Sequence, residues 1–174
     1  MQPGRRSPGL SNLQASYFRD GNQRRPHLGF QLLELLIAIA IISVLAVIAI
    51  PAYSNYRDKA NNADAEADLY SISQAIERFY IETNSYPNSL ADIRMGGLLD
   101  PWGHAYQYLR ISGAKLKGKA SLRKDKSLVP INTDFDLYSM GKDGATVAPL
   151  TAKASQDDIV RANNGKFIGL ASDY

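Results

Sequence analysis

The apolar positions of the chain begin with one long uninterrupted run. Residues 30–50 read FQLLELLIAIAIISVLAVIAI and include only three polar members, Gln31, Glu34 and Ser43. A helix of this length spans roughly 30 Å, which is the thickness of the hydrocarbon core of a bilayer. The run therefore predicts a helix that crosses a membrane.

A second, amphipathic pattern follows Pro51. Residues 52–83 contain neither Gly nor Pro, and their apolar members recur at helical spacing: Leu69, Ile72, Ile76, Phe79 and Tyr80. This stripe predicts that the helix continues and docks its rear half on a domain, while its alanine-rich front half stays exposed. Because proline lacks an N–H and clashes with the preceding turn, we expect a kink at Pro51, with a bend or local melting over 46–50.

After the helical pattern, two short segments alternate apolar and polar residues as strands do. Residues 105–111 and 134–140 predict two strands, and the tail from residue 145 to 174 predicts irregular structure with at most one more strand. The expected fold is α+β, a long hydrophobic N-terminal helix continuing into a small antiparallel sheet domain with a C-terminal loop. The expected organisation is a leader over 1–29, a membrane helix over 30–53 and a domain over 54–174.

Charge and composition narrow the possible functions. Residues 1–29 hold five arginines and one aspartate, whereas residues 30–174 hold 15 basic and 16 acidic residues. The basic flank should remain cytoplasmic, and the nearly neutral remainder gives no reason to expect nucleic-acid binding. The absence of cysteine excludes a disulfide framework and a thiolate metal site. His27 and His104 stand far apart and no catalytic motif is present, so we do not expect an enzyme.

A small residue precedes the apolar run rather than following it. An ordinary signal peptide is cut after its apolar segment. Cleavage after Gly29 would instead keep the helix and leave a free amine on Phe30, one helical turn before Glu34. The Glu34 carboxylate could reach water near the membrane surface, or it could pair with the amino terminus of a neighbouring subunit. The residues alone leave both interpretations open.

The segment 29–37, GFQLLELLI, resembles the class III signal of type IV pilins and type II secretion pseudopilins. In that family a prepilin peptidase cuts after the glycine and methylates the new amino terminus. The resemblance implies cleavage between Gly29 and Phe30, methylation of Phe30, a role for Glu34 in filament assembly and a helix kink at Pro51. Gln31 departs from the usual threonine.

Carboxylates in the C-terminal part raise the question of a metal ion. Asp143 lies in a glycine-flanked turn, and Asp157 and Asp158 follow in a long segment without regular structure. Calcium accepts six to eight oxygen ligands in irregular geometry and could order such a loop. A plain turn and a solvated acidic pair explain the same residues, and on the residues alone we favour that interpretation.

Two further motifs resemble the major pseudopilin of type II secretion. Residues 100–108, DPWGHAYQY, are similar to its DPWGxPYxY segment, and residues 136–144, DLYSMGKDG, to its D-[IV]-[FY]-S-x-G-x-D-G loop. Family members bind a structural calcium there, which implies side-chain ligands from Asp143 and Asp158, a carbonyl from Met140 and a further ligand from Asp157. This chain lacks the family's glycine-rich stretch between Gly144 and Asp157, and its tail differs.

Residues 115–126 carry six basic residues and one acidic residue. This basic insert could recruit acidic partners, such as secreted substrate, DNA or polysaccharide. We favour the simpler interpretation of a solvated hairpin tip whose charges prevent edge-to-edge association.

The resemblance as a whole implies a structural subunit. Such a protein is anchored in the bacterial inner membrane with its C-terminal domain in the periplasm. It is processed by prepilin peptidase and forms a homopolymer, which is assembled with minor pseudopilins on an inner-membrane platform. The polymer serves to export folded proteins. The alternatives are a surface pilin for adhesion, motility or DNA uptake, and a monomeric membrane-tethered binding protein.

Overall fold

The computed structural model describes residues 28–174 apart from 117, 119 and 120, with side chains from residue 31 onward. The chain divides into two compact units, with the boundary between Leu45 and Ala46. Helix α1 extends from Leu28 to Thr83, 56 residues, and crosses the expected boundaries at 29/30 and 53/54. Those boundaries stay predictions, and residues 1–27 of the leader lie outside the described residues.

Pro51 lies inside α1. Residues 46–50 are helical, so the local melting expected there is not found. Proline removes only one hydrogen-bond donor from the helix, and the flanking turns keep theirs. A bend at Pro51 stays a prediction.

The sheet has four short strands in the order in which they occur along the chain. They are β1 (Gln107–Arg110), β2 (Phe135–Ser139), β3 (Ile159–Ala162) and β4 (Phe167–Leu170), and each pairs antiparallel with the next. Single-turn 3₁₀ helices occupy Leu90–Ile93, Lys153–Ser155, Asn163–Gly165 and Ala171–Asp173. The α+β architecture is therefore as expected.

The tail contains two strands, whereas mainly irregular structure with at most one strand was expected there. Each has only four residues, and the buried Arg161 interrupts the apolar pattern of β3. Asn163, Asn164 and Gly165 between them have φ values of 53°, 54° and 85°. An Asn-Asn-Gly turn of this kind is the local signal for the hairpin, because these residues tolerate positive φ.

Apolar residues cover both faces of the sheet. One core cluster joins α1 to the sheet: Ala65, Leu69, Ile72, Ile76, Leu90, Tyr106, Phe135, Leu137 and Ile159. The other contains Ile131, Leu150, Val160, Ala162 and Ala171. Successive residues of a strand point to opposite faces, so β3 contributes Ile159 to the first cluster and Val160 to the second. Tyr80 was expected in the buried stripe, and this was wrong. Its side chain is 36% exposed and stacks on Tyr86 rather than joining the core cluster.

Candidate assembly surface and C-terminal loop

The first candidate site is the apolar surface of residues 31–50 of α1. All of these residues except Ala46 are exposed, and the large apolar ones range from 49% exposed at Ile39 to 73% at Val47. An 18-residue stretch of the helix has a mean hydropathy of 3.0, and the helix is long and apolar enough to cross a membrane. A continuous apolar surface of this size requires lipid or other apolar chains to cover it.

Glu34 is the only charged residue of this surface. Its side chain is exposed and follows Phe30 by about one turn of the helix. Gly29 and Phe30 belong to the first residues of α1, whose side chains are outside the description. Cleavage and methylation there stay predictions, as does the role of Glu34.

The two motifs of the sheet domain, residues 100–108 and 136–144, meet through Asp100. Its Oδ1 accepts the backbone N–H groups of Trp102 and His104 at 3.1 and 2.8 Å, which closes the turn. Its Oδ2 accepts the Ser139 hydroxyl at 2.5 Å, at the end of β2. The His104 ring Nδ1 lies 3.1 Å from the Gly141 carbonyl oxygen. Thus the 100–108 segment positions the start of the C-terminal loop, which we define as residues 140–158.

One side of the C-terminal loop is held by two carboxylates that accept backbone N–H groups. The Asp143 N–H donates to Asp157 Oδ2 at 3.0 Å, and the Ala145 N–H donates to Asp143 Oδ1 at 2.7 Å. Gly141 has a φ of +64°, and a Cβ there would collide with the Asp157 carbonyl. Asp143 and Asp157 therefore lie together, next to the turn that follows Met140.

Asp158 makes different contacts. It is fully buried, and its Oδ2 accepts Arg123 Nη2 at 2.5 Å and the Thr146 hydroxyl at 2.6 Å. Burial raises the pKa of Asp158 to about 6, although the Thr146 and Arg123 hydrogen bonds lower it. Asp158 is thus neutralised by a side chain of the basic insert rather than grouped with Asp143.

These side chains do not fit a calcium ion as they lie. Within the described part of the chain, no three carboxylate or imidazole groups come together closely enough to hold a metal. Asp143 and Asp157 accept backbone N–H groups, and Asp158 Oδ2 accepts Arg123 and Thr146. Asp158 Oδ1 is buried without a hydrogen-bond partner among the described residues. Calcium prefers six to eight oxygen ligands, several of them carboxylates. The calcium ligand set of Met140, Asp143, Asp157 and Asp158 therefore stays a prediction.

The basic insert is not a solvated hairpin tip throughout. Leu122 and Arg123 are 4% and 2% exposed. Next to them, the Lys124 N–H donates to the Ala148 carbonyl at 3.0 Å, and the Leu150 N–H donates to the Lys124 carbonyl at 2.8 Å. The insert therefore pairs with the C-terminal loop. Sequence reasoning missed Arg123 and Thr146, because nothing in a basic run marks which cation is buried.

Comparison with known proteins agrees with these features. The family model for the prokaryotic N-terminal methylation motif matches residues 24–50. Type II secretion system core protein G of Pseudomonas aeruginosa is 27% identical over 143 residues, covering 70% of this chain and 88% of the relative. The chain is type IV pilin-like. Its similarity is to pseudopilins of the G type.

Other relatives carry the same name. Core protein G of Xanthomonas campestris pv. campestris is 28% identical over 136 residues, covering 70% of this chain and 82% of the relative. That of Aeromonas hydrophila is 28% identical over 108 residues, covering 50% and 76%. Residues 51–115 also match the model described as type IV minor pilin ComP, DNA uptake sequence receptor. No solved structure matches the chain. These matches and the apolar helix support a pseudopilin role and an anchor in the inner membrane.

Proposed function

We propose that this pseudopilin is the filament subunit of a type II secretion system. Prepilin peptidase cleaves it after Gly29 and methylates Phe30, and the mature chain polymerises with minor pseudopilins on an inner-membrane platform. Its sheet domain lies in the periplasm, and the filament drives folded proteins across the outer membrane. The exposed apolar surface of residues 31–50 carries the proposal, together with the core protein G relatives.

The physical argument concerns what covers this surface before and after assembly. In the membrane, lipid covers the apolar side chains; in a filament, the same side chains of neighbouring copies cover one another. A carboxylate buried among them is costly unless it is paired. Cleavage creates a positive amine on Phe30, and pairing of Glu34 with the amine of a neighbour would supply that partner.

A substitution that removes the charge of Glu34 tests the pairing. Glu34→Gln keeps the shape of the side chain but removes its charge, so we expect normal cleavage with loss of filaments and of exoprotein secretion. The matched control is Glu82→Gln, on an exposed position near the end of α1. Cleavage is measured by the mass of the mature chain, filaments by chemical cross-linking of neighbouring copies in the periplasm followed by immunoblotting, and secretion from culture supernatants. Normal filaments from the Glu34 variant would contradict the assembly role.

The match of residues 51–115 to a DNA uptake receptor model supports a second candidate, a minor pilin that binds DNA. A deletion strain separates the two functions. Periplasmic accumulation of exoproteins with normal transformation supports the secretion subunit. Normal secretion with loss of DNA uptake would replace it with the second candidate.

A further inference from the structure

The C-terminal loop is closed by a buried guanidinium from outside the loop. Arg123 Nη2 donates to Asp158 Oδ2 at 2.5 Å, while Nη1 donates to the Thr146 hydroxyl at 2.6 Å and to the Val147 carbonyl at 2.7 Å. The same guanidinium carbon lies 4.3 Å from the centre of the Tyr138 ring. One cation thus joins the middle of the loop to its last residue and to the sheet beneath.

The acceptors of Arg123 are of the kinds that a calcium ion would use. They comprise one carboxylate, one hydroxyl and one backbone carbonyl, all oxygen atoms. The Thr146 hydroxyl also donates to Asp158 Oδ2, so all three residues form one connected network. Asp158 is fully buried, and its single negative charge is already balanced by Arg123. A divalent ion added at the same carboxylate would leave an excess of buried positive charge.

The backbone of Arg123 is fixed independently of its side chain. Its N–H donates to Asp136 Oδ2 at 2.9 Å, and Asn132 donates to Asp136 Oδ1 at 2.9 Å. Asp136 belongs to β2, so the guanidinium is held on the central part of the sheet. A planar fork with several fixed donors suits such a bridging position better than the point charge of lysine.

We propose that the Arg123 guanidinium is the resident cation of the C-terminal loop, and that the loop of this protein closes without calcium. An irregular loop of this length requires something to order it, and here a side chain of the basic insert supplies the cation. The insert is thereby assigned a function within the fold.

The test has two parts. The first compares the melting temperature with calcium and with a chelator, and the second compares the trypsin sensitivity of the natural chain with that of Arg123→Met. The mature full-length protein is held in detergent micelles with about 5 mM calcium chloride or excess EGTA, which spans the range of extracellular calcium modules. We expect the two melting temperatures to agree within about 1 °C, since only a ligand that binds the folded state raises stability. A calcium-dependent, saturable rise of more than about 3 °C would overturn the proposal.

Trypsin reports loop closure directly, because Lys153 is exposed within the loop and Lys166 is exposed in the β3–β4 turn. Without calcium, Arg123→Met should raise the cleavage rate after Lys153, relative to that after Lys166, by at least about tenfold, since local opening governs cleavage. Lys115→Met, an exposed cation of the same insert, is the matched control and should leave the ratio unchanged.

Thr146→Val provides a second test if the Arg123 variant fails to fold. It keeps the side-chain shape while removing the hydroxyl that joins Arg123 to Asp158, so the same ratio should rise by a smaller factor. An unchanged ratio in the folded Arg123 variant, or in the Thr146 variant when it alone folds, would overturn the proposal. Secretion is not the readout, so this outcome is independent of the proposed function.

Discussion

Replacement of Arg161 by Met should weaken the packing of the sheet on α1 and lower the stability of the domain. Nη1 and Nη2 donate to the two carboxylate oxygens of Asp134 at 2.9 and 2.6 Å, and Nε donates to Ser73 Oγ at 3.1 Å. The guanidinium carbon lies 3.9 Å from the centre of the Phe135 ring, and Nη2 is 3.6 Å from Glu77 Oε1. Arg161 is 2% exposed, so this side chain joins β3 to the helix inside the core.

The magnitude follows from which groups lose their partner. Removing one member of a buried ion pair typically costs about 3–5 kcal/mol. The side chains of Asp134 and Glu77 are 12% and 38% exposed and regain some hydration, so the lower end applies, about 3 kcal/mol. For a domain of this size that corresponds to a fall in Tm of roughly 12 °C.

The assay is thermal unfolding of Arg161→Met followed by circular dichroism in detergent, with the exposed helix variant Arg78→Met as control. Asp134→Asn is combined with it in a double-mutant cycle. The two losses should fall short of additivity by at least about 1 kcal/mol, because each variant breaks the same pair. A fall in Tm below about 3 °C, or strictly additive losses, would refute the reasoning.

Two further predictions concern the loop and the tyrosines. Gly141→Ala should destabilise the C-terminal loop, because Gly141 has a φ of +64° and the new methyl group would collide with the Asp157 carbonyl. Gly97→Ala, which has open space around the new methyl group, is the control. Equal trypsin sensitivity of the two variants would contradict the prediction. Burial raises the pKa of Tyr106 and of Tyr108, so their ionised forms disfavour the fold. Stability should be fully present below the unfolded pKa of about 10 and fall as pH rises above it. Absorbance at alkaline pH should show these two tyrosines ionising only with unfolding, and early ionisation of both would contradict this.

The sequence predicted the elements whose signals are local. The apolar run of residues 30–50, the stripe of Leu69, Ile72 and Ile76, and the first two strands all follow from periodicity within short windows. At most one more strand was expected in the tail, and neither of the two was located, because each has four residues and a buried arginine interrupts the pattern of β3. Their turn was readable, but a turn signal alone does not show that flanking residues pair.

The candidate site was predictable only in part, for a related reason. Asp143 and Asp157 lie together, since the Asp143 N–H donates to the Asp157 carboxylate across 14 residues of chain. The partner of Asp158 could not be read from its neighbours, because Arg123 is 35 residues away and belongs to a run of similar cations. Which cation is buried depends on the path of the chain, and this is a property of the fold rather than of the motif.

Both buried arginines of the sheet domain join segments that are far apart in sequence. Arg161 reaches Ser73 across 88 residues, and Arg123 reaches Asp158 across 35. Buried ion pairs contribute little net stability once desolvation is counted, whereas the two apolar clusters supply the main driving force. The contribution of these guanidinium groups is therefore mainly geometric, because each donates at once to side chains of two different segments. In a small domain without cysteine, that geometry fixes the sheet against α1 and the C-terminal loop against the sheet. Replacing either arginine by an apolar residue should consequently loosen one junction while leaving the apolar clusters assembled.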